Sequence, residues 1–205
     1  MLIFLKQSLV FIAVPKTGTT AIETALSRKA DIILARDRKH LTAQRFHRQI
    51  APFLDKTFGA TPDRFAVIRH PEEQLRSWYR YRMRDSLKDP KRTTHFLSFD
   101  QFVQDVLSDQ SPRHARIGSQ FRILTSARKA LLVHHLFAYE QPEKLAAFLQ
   151  DRFGETFSLK RKNVSPPVDA PLSDDLRARL KAERCDEYAL YEKVVAAGGH
   201  LVNQI

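Results

Sequence analysis

Leu9-Val10-Phe11-Ile12-Ala13-Val14-Pro15-Lys16-Thr17-Gly18-Thr19-Thr20 is the stretch on which the reading of the chain turns. Six apolar residues, rich in β-branched and aromatic types, stop at a proline. A loop of small residues follows, and then a stretch of helical character from Thr20 to Arg28. The pattern predicts a buried strand, a tight turn and the start of a helix. The first N–H groups of a helix have no partner within it, and the helix dipole puts partial positive charge there. A turn of Gly and Thr lets an anion come close to those groups, the hydroxyls add donors, and Lys16 adds a full charge. The stretch is built to hold a phosphate.

The order of residues narrows the kind of phosphate site. The P-loop of ATPases and GTPases reads Gly-x-x-x-x-Gly-Lys-Ser/Thr, its last hydroxyl holding magnesium. Here Lys16 precedes the only glycine of the loop, and no Gly-Lys-Ser/Thr occurs in the chain. A second apolar run, Phe65-Ala66-Val67-Ile68, also ends at a strand-to-helix junction, Arg69-His70-Pro71-Glu72-Glu73-Gln74-Leu75-Arg76-Ser77-Trp78-Tyr79. Pro71 suits a first helical turn, where its missing N–H costs nothing. An arginine at a strand's end and a serine two turns into the next helix are placed to grip one phosphate from two sides.

Pro15-Lys16-Thr17-Gly18-Thr19-Thr20 resembles the 5′-phosphosulfate loop of sulfotransferases that use 3′-phosphoadenosine 5′-phosphosulfate (PAPS). The Arg69 to Tyr79 segment resembles their 3′-phosphate motif, Arg-x-Pro-x-x-Arg-x-x-Ser-x-Tyr, with Arg69, Pro71, Ser77 and Tyr79 in register. Gln74 departs from it by standing where an arginine is common. Arg76 lies two positions later, which on a helix is a different direction.

Composition bounds the rest. A chain of 205 residues is most simply one domain, 1–205, able to bury roughly 70% of the surface its unfolded form exposes. Cys185 is the only cysteine, which excludes an intrachain disulfide and fits a reducing compartment. A net charge of +11 calls for an anionic partner without saying which one. The apolar N-terminus has no basic residue ahead of it, is interrupted by Lys6 and Gln7, and ends without a small-x-small cleavage site. It reads as the first strand, with no segment of membrane-spanning length. The expected location is cytoplasmic.

Asp31-Ile32-Ile33-Leu34 predicts a short strand, and Thr42 an N-cap for a helix to about Leu54. His40 falls in the loop between them, on the edge of an open parallel sheet where ligands bind. Histidine suits the task of a base near neutral pH. A Lys-His element here is similar to one in bacterial and carbohydrate sulfotransferases. Glu23 on the first helix is the alternative base. His47 reads as an exposed helical residue and His70 as facing the nucleotide.

Residues 71–86 predict a helix whose Leu75, Trp78, Tyr79 and Arg82 stem pack into the core. Arg76, Arg80 and Arg84, four apart, make a basic row fit for one wall of an electropositive entrance. The polar 85–98 loop is the candidate for acceptor selection. Helices follow over Phe99–Leu107, from Gln120, and from Pro142 to Phe153. His134 and His135 point to opposite faces of a strand and lack zinc-like partners, which makes them structural. Lys160–Pro167 is a basic loop; its Asn-x-Ser resembles a late family element that closes over the nucleotide, which puts Lys162, Asn163 and Ser165 among the contact candidates. A final helix, Asp175 to Ala197, is capped by Ser173 and Asp174 and ends at Gly198-Gly199. Tyr139-Glu140 and the Asp186–Tyr191 segment also recur among relatives.

Alternating apolar runs and helices predict an α/β fold with a short, mainly parallel central sheet flanked by helices; the resemblance makes it a P-loop-like three-layer fold. The resemblance implies in-line transfer of a sulfuryl group from PAPS to a hydroxyl, less readily an amine, of a small-molecule or carbohydrate acceptor, with no metal. The N–H groups of Thr17, Gly18, Thr19 and Thr20, with the hydroxyls of Thr19 and Thr20, would hold the 5′-phosphate. Arg69 and Ser77 would hold the 3′-phosphate. Lys16 would neutralise charge on the bridging oxygen, and His40, or else Glu23, would take the acceptor's proton. Two other readings compete: a PAPS-binding protein without catalysis, and a basic nucleic-acid-binding module. The second leaves both strand-to-helix motifs unexplained.

Overall fold

The computed structural model describes residues 1–84, 87, 89–159 and 168–205. Six strands, β1 (Leu2–Phe4), β2 (Leu9–Ile12), β3 (Ile32–Ile33), β4 (Asp63–Ile68), β5 (His135–Ala138) and β6 (His200–Val202), form one sheet in the order β3-β1-β2-β4-β5-β6. The three central strands, β2, β4 and β5, are parallel, with Phe11 opposite Phe65 and Ala66 opposite Leu136. β1 runs antiparallel to both β2 and β3, and β6 antiparallel to β5. Four strands therefore point one way in a mixed, mostly parallel sheet.

Strand periodicity divides the core. Ile3, Val10, Ile12, Ala66, Ile68 and Leu136 face one side, while Leu2, Phe4, Leu9, Phe11, Phe65 and Val67 face the other. With both faces covered, the central strands read as continuous apolar runs rather than alternating ones. The first side is covered by Phe46, by Leu54 of α3 (Ala51–Phe58), and by α6 (Gln120–Leu124) and α9 (Cys185–Ala196). The second lies under α1 (Thr19–Leu26) and α7 (Pro142–Phe153), through Ile22, Leu26, Leu145 and Leu149. This is the expected three-layer arrangement. A third cluster joins α4 (Pro71–Arg82) to α5 (Phe99–Leu107) and α8 (Asp174–Glu183), around Leu75, Tyr79, Phe102 and Leu180.

Several expectations need correction. The N-terminal apolar segment is two strands, because Lys6 and Gln7 lie in a hairpin turn closed by a Ser8 N–H to Leu5 carbonyl bond. The helix after Thr42 runs further than Leu54, as α2 (Ala43–Arg45), a π turn (Phe46–Ile50) and α3. Pro52 cannot donate within that helix, and the wider turn just before it accommodates the loss. Thr42 caps it as expected, accepting the Arg45 N–H at 3.2 Å. The single C-terminal helix is instead α8 and α9, broken at Arg184, and the Ser173 side chain makes no cap bond. β6, which follows Gly198 and Gly199 in left-handed conformation, was not foreseen. The helix from Pro71 stops at Arg82, short of residue 86. Among the described residues no helix is long and apolar enough to cross a membrane.

Candidate functional site

The C-terminal ends of the three parallel strands lie side by side, and each delivers one element. Beyond β2 the backbone turns through Lys16 (φ 68°) and Gly18 (φ 76°) into α1. A left-handed lysine is strained, and such strain collects at ligand-binding turns. Gly18 is required twice over, because a Cβ there would also lie 3.1 Å from the Tyr139 ring. The Thr17 hydroxyl turns inward and donates to the Val14 carbonyl (2.8 Å), pinning the loop to its strand. β4 ends at Arg69, whose guanidinium lies 4.5 Å over the Tyr139 ring at the end of β5. Its Nη1 reaches the Lys16 carbonyl at 3.5 Å.

A cleft of about 650 Å³ opens over these ends. Its walls include the 15–20 loop, His40, Arg69, Ser77 and Tyr139. The two strand-to-helix motifs, 53 residues apart at Lys16 and Arg69, thus share one cavity with the candidate histidine. Lys162, Asn163 and Ser165 lie outside the described residues.

His40 is exposed, and its Nδ1 lies 2.7 Å from the Ala13 carbonyl oxygen. A carbonyl only accepts, so Nδ1 carries the proton and Nε2 is the basic nitrogen. Surrounding protein, more than any charge, holds its pKa below the usual histidine value, so the ring is neutral at pH 7. Glu23 does not line the cleft. Its carboxylate is 2.6 Å from Lys39 Nζ and 3.9 Å from the Met1 amino group, which itself donates to the Leu34 and Lys39 carbonyls. Glu23 and Met1 thereby fasten the loop that carries His40.

Lys16 Nζ sits 4.2 Å over the Tyr81 ring and 5.6 Å over that of Trp78. Burial, with Arg84, Arg69 and Arg82 nearby, pushes its pKa down to about 7. An ammonium so poorly solvated and so crowded by like charges is primed to meet an anion. Trp78, half-buried, packs against the third core cluster as expected and also lines the cleft. In the basic row, Arg80 and Arg84 line the cleft but Arg76 does not. Arg76 pairs with Glu72 (2.6 Å) and Glu73 and donates to the Ala170 carbonyl.

Gln74 is fully buried and its Nε2 donates to the Pro15 carbonyl at 3.1 Å, tying α4 to the loop rather than entering the cleft. His70 turns away from the cleft and packs edge-on against Tyr188 and Tyr191 at 5.5 and 5.2 Å. His47 is exposed. His134 Nδ1 accepts the Arg64 N–H and His135 Nδ1 pairs with His200 Nε2. Among the described residues no group of three or more His, Cys, Asp or Glu is placed to hold a metal ion.

Sequence reasoning missed the group that holds Arg69. Gln120 is fully buried; its Oε1 accepts the Arg69 N–H (2.9 Å) and its Nε2 donates to the Arg69 carbonyl (2.8 Å). Glu187 completes the network, accepting from Ser119 Oγ and from Gln120 Nε2. Nothing in the order of residues marks a contact across 51 positions. Lys39 of the Lys-His element and Arg92 of the 85–98 loop also line the cleft, and Tyr81 does so unannounced. No protein-family model matches this chain, and a search of curated proteins returns no match.

Proposed function

We propose that the chain is a sulfotransferase that moves the sulfuryl group of PAPS to an acceptor hydroxyl. The observation that carries this reading is the convergence of both strand-to-helix motifs and His40 on one cleft. Its volume falls in the range of small-ligand sites, roughly 300–1,000 Å³, and a concave cluster of cations suits a compact polyanion better than a duplex. The exposed free Cys185 fits a reducing compartment, and we place the reaction in the cytoplasm.

In this scheme the N–H groups from Thr17 to Thr20 and the dipole of α1 hold the 5′-phosphate. Arg69 and Ser77 hold the 3′-phosphate. His40 Nε2 takes the proton of the acceptor hydroxyl as that oxygen bonds to sulfur. The bond between sulfur and the bridging phosphate oxygen breaks, its electron pair stays on that oxygen, and Lys16 neutralises the charge. The products are the sulfate ester and 3′-phosphoadenosine 5′-phosphate (PAP). His40 is preferred to Glu23 because its basic nitrogen belongs to a residue that lines the cleft, whereas Glu23 is engaged by Lys39.

Thermal shift is the direct test. PAP at a hundred times its Kd is expected to stabilise the fold by about 2.7 kcal/mol, with little response to ATP or ADP. An equal or absent response to all three would remove the donor assignment.

The pH profile tests the base. A base must be deprotonated, so kcat/KM for PAPS falls with acid along a limb placed below the usual histidine value by the lowered His40 pKa. Lys16 must be protonated, which puts the alkaline limb of the free enzyme near pH 7. Donor phosphates favour the ammonium, so the same limb in kcat moves to higher pH. His40→Ala is expected to lower kcat by about 10²–10⁴-fold and to erase the acid limb. Full activity with the limb intact would transfer the role to Glu23.

A further inference from the structure

We infer that Arg80 binds the donor, as a second guanidinium on its 3′-phosphate that supplies the charge Gln74 does not. The inference rests on the donor reading above and deepens it at one end of the cleft.

A phosphate monoester carries a charge of about −1.5 to −2 at pH 7. Arg69 and Ser77 answer little of it. Ser77 is neutral, and Arg69 shares its charge with Glu73, whose carboxylate lies 3.7 Å from Nη2. Gln74 brings no charge and is turned inward to the Pro15 carbonyl. Arg76 is engaged by Glu72 and Glu73 and does not line the cleft. The 3′ end of the site therefore needs another cation.

Arg80 has the position and the open donors to be that cation. Within α4 it stands three residues after Ser77, so the two share one helical face with Cβ atoms about 5–6 Å apart, and both line the cleft. Its Nε donates to the Val168 carbonyl at 3.0 Å, which fixes the plane of the half-buried guanidinium. Among the described residues no acceptor takes the N–H groups of its Nη1 and Nη2, and no carboxylate pairs with it. The Ser77 hydroxyl, by the same measure, has no partner within the protein. A guanidinium held by one N–H and presenting the others is pre-organised for phosphate, whose oxygens match its planar fork. Its place also fits the 3′ end rather than the reacting centre. The cations that depress the Lys16 pKa are Arg84, Arg69 and Arg82, and Arg80 is not among them. The bond to Val168 draws Arg80 instead to the flank of α4 where Arg76 holds the Ala170 carbonyl at 2.9 Å. Arg69 from the end of β4, and Ser77 and Arg80 from successive turns of α4, then meet on one phosphate.

Arg80→Ala and Arg80→Lys test the assignment, through calorimetric titration with PAP and phosphorus NMR of the saturated complexes. Arg80→Ala is expected to weaken PAP binding about 10–100-fold, the scale of hydrogen bonds to a charged group. Arg80→Lys should recover part of that loss, because it restores the charge without the fork. The two phosphates of PAP give separate resonances, so the spectrum reads which end has changed. In the wild-type complex the 3′ resonance should titrate below the usual second phosphate pKa of about 6, since neighbouring cations favour the dianion. Arg80→Ala should move that titration back upward and leave the 5′ resonance where it was. Unchanged PAP affinity overturns the inference, as does a loss that lysine does not recover. A 3′ titration that stays put overturns it too, by reducing Arg80 to a brace for Val168, and displacement of the 5′ titration instead assigns Arg80 to the other end. A wild-type protein that fails to bind PAP removes the donor reading itself, and with it this inference.

Discussion

Lys16→Ala is expected to lower kcat for sulfuryl transfer by about 10²–10³-fold, the typical loss on removing one group that meets charge developing in a transition state. The same change should leave the apo protein as stable as before, or more so. Lys16 is held in a buried position, near Arg84, Arg69 and Arg82, with its pKa pushed down to about 7. Below that pH the protein carries the full cost of a crowded, desolvated ammonium. Alanine removes the cost and forfeits only the contacts with Tyr81 and Trp78, and it keeps the loop backbone that holds the 5′-phosphate. PAP affinity should therefore fall much less than turnover. Single-turnover rates with labelled PAPS, together with the apo Tm, separate the two effects. Unchanged turnover would refute the assigned role, and a large drop in Tm would show that Lys16 is structural. Opposite movement of function and stability is the pattern expected of a charge placed for chemistry rather than for folding.

How much of this was legible follows from the range of the interactions involved. The strand-loop-helix units at Val10–Thr20 and Phe65–Ser77 are local, so apolar runs, Pro71 and Gly18 announced them directly. Parallel strands with both faces covered leave the same mark, and the three-layer fold followed. The Lys6–Gln7 hairpin was legible in principle, because polar residues interrupt an apolar run there, but Ser8 closes it with a positive φ that serine rarely adopts. The break at Arg184 was not, because its flanking residues continue a helical pattern and tertiary packing alone separates α8 from α9. Trp78 was legible only in part. It packs against the cluster of buried Leu75 and Tyr79 that its helical face predicts, but its second role in lining the cleft depends on the distant 15–20 loop. Gln74 and Arg76 show the limit of a motif. One side chain ties down the loop and the other joins Glu72, Glu73 and Ala170, roles that depend on residues 59 and 94 positions away.

The second large effect is expected at Gln120, which is fully buried and does not itself line the cleft. Its amide can be oriented one way only. Nε2 faces two acceptors, the Arg69 carbonyl and Glu187 Oε1, and Oε1 faces one donor, the Arg69 N–H. Gln120→Leu keeps roughly the same volume but strands all three groups in a site where glutamine is 0% and Glu187 2% exposed. Buried polar groups left without partners cost about 1–3 kcal/mol each, and partial relaxation should hold the total near 3 kcal/mol. For a chain of this size that lowers Tm by roughly 6–12 °C. If Gln120 only supported the fold, donor binding to the surviving native protein would be unchanged. Because it fixes the backbone at Arg69, PAP affinity is expected to fall about tenfold as well, as small displacements in a binding group commonly do. Leu124→Ala, on the same helix and fully buried, is the control: it costs a comparable 2–5 kcal/mol without touching Arg69. Titration of both variants with PAP well below their Tm distinguishes the cases. Equal affinities would reduce Gln120 to packing, whereas a loss confined to Gln120→Leu makes it the residue that sets Arg69 in place.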